Sequence, residues 1–103
     1  MGVFDMTKSA NKPKMIISSE GAQLWKLDGL LHREDGPAVI WPDGGQEWWL
    51  NGNLHREDGP AVIEPDGTQE WWANSIKYSN IDEWATAIGI DPETVLVLKL
   101  QYG

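Results

Sequence analysis

A chain of 103 residues has room for one domain, and without cysteine it cannot rest on disulfides or thiolate-bound zinc, nor use a thiol nucleophile. Acidic residues outnumber basic ones 16 to 8. The resulting charge of −8 repels phosphate backbones and anionic lipid, so direct nucleic-acid or membrane binding is disfavoured and a protein partner with a basic surface is favoured.

Residues 1–14 mix Lys8, Lys12, Lys14, Asn11 and Pro13 with little periodicity and are predicted to form a flexible arm. Met1 to Thr7 lack the apolar stretch of a signal peptide, and no apolar run anywhere is long enough for a membrane span, so the expected setting is the cytoplasm. Residues 1–19 have a charge of +2 and residues 76–103 of −2, which leaves the whole −8 on residues 20–75.

From Met15 the chain is periodic. The nonapeptide His-Arg-Glu-Asp-Gly-Pro-Ala-Val-Ile occupies 32–40 and returns unchanged at 55–63, 23 residues on. The match extends both ways: Met15-Ile16-Ile17 aligns with Ala38-Val39-Ile40, and Gln23 to Gly29 aligns with Gln46 to Gly52 and Gln69 to Ser75. Each unit contains two turn signals. Asp28-Gly29 and Asn51-Gly52 suit a hairpin turn with positive φ at both central residues, while Pro42-Asp43-Gly44 and Pro65-Asp66-Gly67 combine a preset φ, a local side-chain acceptor and a left-handed position. Strands are predicted near 15–18, 23–27, 30–33, 38–41, 46–50, 53–56, 61–64, 69–73 and 76–78. The predicted fold is mainly β: an antiparallel meander of 23-residue β-hairpin repeats in a single twisted sheet over 15–78, with a C-terminal helical cap over 79–103.

Alternation puts Trp25 with Leu27, Trp48 with Leu50 and Trp71 with Ala73 on one side, predicted to be the core face. Each of these indoles can bury roughly 150–250 Å². Glu47 with Trp49 and Glu70 with Trp72 lie opposite, where the first unit has Lys26. After Tyr78 the period changes. Asn80 and Glu83 read as an N-terminal cap, and Ile81, Trp84, Ala85 and Ile88 form a helical stripe that ends at Gly89. Asp91-Pro92-Glu93 opens a second helix, although Thr94 to Leu98 is β-branched enough to fit a strand.

The 23-residue unit, the Trp-x-x-Asn-Gly-x-x-His arrangement from Trp48 to His55 and the recurring Asp-Gly turn resemble a divergent MORN-type β-hairpin repeat over about residues 15–78. The His-Arg-Glu-Asp-Gly-Pro-Ala variety is similar to small proteins of bacteriophages and bacteria. It departs from the usual pattern where Arg56-Glu57-Asp58-Gly59-Pro60 follows His55 in place of Gly-x-Gly. The resemblance implies scaffolding, protein contacts and self-association, and for a phage accessory protein the inhibition or modulation of a host protein.

Two constellations could carry function. His32, Arg33, Glu34 and Asp35, with His55, Arg56, Glu57 and Asp58, supply imidazoles and carboxylates of the kind used for metal binding or acid–base chemistry. Their identity extends over Gly, Pro, Ala, Val and Ile, which do no chemistry, so a structural ladder of loops explains the whole block better and neither catalysis, metal nor cofactor is expected. The second constellation is Glu47, Trp49, Glu70 and Trp72, joined by Trp41: aromatic anchors on an acidic face that suit a basic protein partner. Ile81, Trp84 and Ile88 offer the competing possibility, favoured by their apolar character, of covering Trp49 and Trp72 from the helix. The first and last strands also offer edges for a homodimer.

Overall fold

The computed structural model describes residues 12–103. The arm predicted over 1–14 therefore lies outside the described residues except for its last three, and of these Lys14 already belongs to the first strand. Among the described residues ten strands and two helices follow in order: β1 Lys14–Ile17, β2 Gln23–Leu27, β3 Leu30–Leu31, β4 Val39–Ile40, β5 Gln46–Glu47, β6 Trp49–Leu50, β7 Asn53–Leu54, β8 Val62–Ile63, β9 Gln69–Ala73, β10 Ile76–Tyr78, α1 Ile81–Ile88 and α2 Pro92–Tyr102.

The hairpins form as the turn dipeptides require. Asp28 and Gly29 have φ of 52° and 81°, and Asn51 and Gly52 have 50° and 80°. Both central residues are left-handed, the twist that closes a two-residue hairpin. Asn74 and Ser75 repeat the geometry at 51° and 64° without a glycine.

The single sheet expected from alternation is instead an eight-stranded antiparallel sheet, in the order β1-β2-β4-β5-β8-β9-β10 with β3 on β2, and a separate β6–β7 ladder. The cause lies at the central tryptophan of each long strand. The Trp48 N–H donates to Ala61 O while its carbonyl accepts from the His55 N–H, so 46–50 changes partner at Trp48 and splits into β5 and β6. The Trp25 N–H and carbonyl likewise serve Ala38 and His32. The two neighbours that share this side are then each paired over only part of the long strand, and the strands predicted at 30–33, 38–41, 53–56 and 61–64 shorten to two residues.

Register defines the faces. Val39 lies opposite Leu24 and Glu47, and Val62 opposite Glu47 and Glu70, so these five share one face with Trp49 and Trp72. Trp25, Trp48 and Trp71 stand on the other, and only the last enters the main core. That core consists of Trp71, Ala73, Trp84, Ala85, Val95 and Leu98. Trp84 is fully buried, its ring centroid 4.8 Å from that of Trp71. The helix thus covers Trp71, not Trp49 or Trp72 as its apolar stripe suggested: one residue of alternation decides which ring it meets, and neither of those two belongs to the helical core.

The Asn80 side chain accepts from the Glu83 N–H at 2.9 Å, and Gly89 closes α1 with φ 78°. The segment after Asp91 is a helix. It turns Val95 and Leu98 inward and leaves Leu96, Val97 and Leu100 exposed. Among the described residues no helix is long and apolar enough to cross a membrane.

Candidate functional site

The two His-Arg-Glu-Asp loops make the same internal bonds. His32 and His55 are buried at 7% and 8% exposure. The Nδ1 of His32 accepts the backbone N–H of Asn51 at 2.9 Å, and that of His55 accepts the N–H of Asn74 at 3.0 Å. An acceptor at Nδ1 places the ring proton on Nε2, which donates to Glu34 at 3.3 Å and to Glu57 at 2.9 Å. Each histidine thereby pins the hairpin turn 19 residues ahead, and both its ring nitrogens are occupied.

The arginines serve the opposite side of each loop. Arg33 Nε donates to Asp35 and Nη1 to Pro37 O, while Arg56 donates to Asp58 and Pro60 O in the same way. Each guanidinium carbon lies over a tryptophan ring, that of Arg33 3.9 Å from the Trp25 centroid and that of Arg56 3.8 Å from the Trp48 centroid. The core face predicted from Trp25, Trp48 and Trp71 is therefore covered in two ways: by arginine in the first two units, and in the third by Trp84 with the Tyr102 ring set nearly perpendicular, its centroid 6.0 Å from that of Trp71. Trp25 and Trp48 remain half-buried. Glu34, Asp35, Glu57 and Asp58 project into solvent on this side. Among the described residues no group of three or more His, Asp or Glu is placed to hold a metal ion.

The other face brings together the second constellation. Glu47 is the centre: Oε2 accepts from Trp41 Nε1 and Oε1 from Trp49 Nε1, both at 2.9 Å. The carboxylate fixes two indoles at once. They border a shallow pocket of about 330 Å³ whose apolar wall is Leu24, Leu30, Leu31 and Val39, with Lys26 at its rim. One unit on, Trp72 Nε1 donates to Glu70 Oε1 at 2.8 Å, but Glu64 stands where Trp41 would be and Lys77 Nζ lies 3.5 Å from Glu70 Oε2. Trp41, Trp49 and Trp72 are all half-buried. The five residues predicted as partner-binding therefore share a face, with Trp41, Glu47 and Trp49 joined directly and Glu70 with Trp72 as a second pair.

Two features were missed from sequence. The pocket wall comes from three different strands, and pairing between them sets which leucines meet. The Glu47 and Glu70 charges are also less available than their number suggests, since indole N–H groups hold the first and an indole with Lys77 the second. The recurring offset of Trp25 to Arg33 and Trp48 to Arg56 was a legible signal for the stacked pairs. Comparison with protein-family models, with curated proteins and with solved structures gives no match.

Proposed function

We propose that this chain is a protein-binding module without catalytic activity, a MORN-like repeat of the phage accessory kind. Its target is a basic surface on a host cytoplasmic protein, such as one that binds nucleic acid, and occupying that surface inhibits or modulates the target. The observation that carries this reading is the Trp41–Glu47–Trp49 pocket, which lies on the face opposite Trp71 and, among the described residues, outside the helical core.

The division of labour follows from the local charge. Glu47 is already held by two donors, so the pocket itself offers apolar contact and suits an aliphatic or aromatic side chain of the partner. Attraction for a basic surface comes from the net charge of −8, which acts at longer range and speeds encounter. A partner surface of cationic side chains around one exposed apolar residue satisfies both.

The test is binding to a panel of Lys- and Arg-rich peptides that differ in one central residue. Peptides with a central Leu or Phe are expected to bind and those with Ser to bind weakly, and Trp49→Ala is expected to weaken the former by roughly tenfold or more. The exposed Leu100→Ser on α2 serves as control and leaves affinity unchanged. Binding that ignores both the central residue and Trp49→Ala would refute the proposal.

A further inference from the structure

The 23-residue period makes one position on the sheet conspicuous. The Ser18 N–H donates to Ala22 O at 2.9 Å, and β1 pairs with β2 from Lys14↔Lys26 to Ile17↔Gln23. Lys14, Ile16 and Ser18 therefore direct their backbone groups towards β2, and Met15 and Ile17 direct theirs away from it. One period later the equivalent residues are Ala38 and Ile40, whose outward groups are used on β2: Trp25 N–H donates to Ala38 O at 2.8 Å and Ile40 pairs with Gln23. Ala61 and Ile63 repeat this with Trp48 and Gln46. The ladder position filled at 38–40 and 61–63 is vacant beside 15–17 among the described residues.

We infer that β1 pairs with β1 of a second copy, antiparallel and about a two-fold axis perpendicular to the sheet. The other end of the sheet does not continue the same ladder. One period beyond Ala61 to Ile63 lie residues 84–86, which belong to α1 with Trp84 buried on Trp71, so the repeat presents no matching strand there. Pairing of like edges about a two-fold axis closes on itself as a dimer. Nothing within 15–17 guards the edge: Met15, Ile16 and Ile17 are 46%, 48% and 58% exposed, with neither proline nor charge among them.

The outward groups fix the register. With the axis at Ile16, Met15 bonds Ile17 of the second copy and Lys14 faces Ser18, and at each end Lys12 ahead of the strand is brought towards Glu20 in the turn that follows it. A shift of two residues either way sets apolar residues against Pro13 and Lys14, or against Ser18 and Ser19. Only the central register matches all three apolar side chains and also joins opposite charges. The Trp41–Glu47–Trp49 face then continues from one copy into the other.

Sedimentation equilibrium of the full chain tests this. The edge is short, so association is expected in the micromolar to sub-millimolar range, with the mass rising from 11.5 kDa towards twice that value. Ile17→Pro removes an outward N–H and spares the β1–β2 ladder, and it is expected to raise the dissociation constant roughly thirtyfold or more with the circular dichroism unchanged. Lys12→Glu is expected to weaken the dimer, and Lys12→Glu with Glu20→Lys to restore it. A mass of 11.5 kDa up to roughly 1 mM, or a dimer indifferent to both Ile17→Pro and Lys12→Glu, overturns the inference.

Discussion

Arg56 touches more of the molecule than any loop residue beside it. It bonds Asp58 and Pro60 within its loop, stacks on Trp48 and donates Nη2 to Tyr102 Oη at 3.0 Å, tying the middle of the sheet to α2. Its backbone carbonyl also accepts from Trp84 Nε1 at 3.2 Å. Arg33 has the loop bonds and the stack without the helical partner. Lysine cannot reproduce a planar fork that bonds and stacks together. In urea unfolding, Arg56→Lys is therefore expected to cost about 1–2 kcal/mol more than Arg33→Lys; equal costs would show that the Tyr102 tie carries no stability. At this scale the sequence exposed the identity of the two loops but not their different burdens. The nonapeptide is the same in both, and Tyr102, 46 residues from Arg56, makes the difference.

Among the elements, the third hairpin turn breaks the rule that the first two keep. Ser75 sits at φ 64° where its equivalents are Gly29 and Gly52, a conformation that a side chain adopts at some cost. Ser75→Gly is expected to stabilise the fold by about 0.5–1 kcal/mol in chemical denaturation, the gain reduced by loss of the Ser75 Oγ bond to Asn53. The start of α2 depends on pH. The Thr94 side chain and then its backbone N–H donate to Asp91, holding that carboxyl below its usual range. The Thr68 N–H does the same for Asp66 in the Pro-Asp-Gly turn. A group lowered on folding contributes its stability above its unfolded pKa and loses it as the pH falls through the lower folded value. The stability difference between parent and Asp91→Ala is thus expected to be full at neutral pH and to shrink below about pH 4; a constant difference down to strong acid contradicts this role. Turns and α1 were legible because their signals are local: a dipeptide, a cap, a terminal glycine. The α2 segment was ambiguous because it is apolar on both sides, Val95 and Leu98 inward and Leu96, Val97 and Leu100 outward, so no single stripe declares the helix.

Across the molecule, the two faces and two ends of the sheet differ in kind. One face is built of arginines stacked on tryptophans under solvent-exposed carboxylates, and beside its last unit it receives the helices. The other keeps Trp41, Trp49 and Trp72 half-buried and oriented by glutamates. One end closes in a helical core, and at the other the outermost strand among the described residues is β1. Period and alternation made the sheet and its two faces readable, but not the face that the helices choose, since that depends on long-range packing of Trp84 and Tyr102 on Trp71. The face left over is where binding is expected. The most direct measurement follows the indole N–H resonances of the seven tryptophans while a Lys- and Arg-rich peptide with one central Phe is added to the intact chain. Shifts at Trp41, Trp49 and Trp72, with Trp71 and Trp84 still, are the expected result. Shifts confined to Trp25 and Trp48 beneath the loops, or none at all, contradict it.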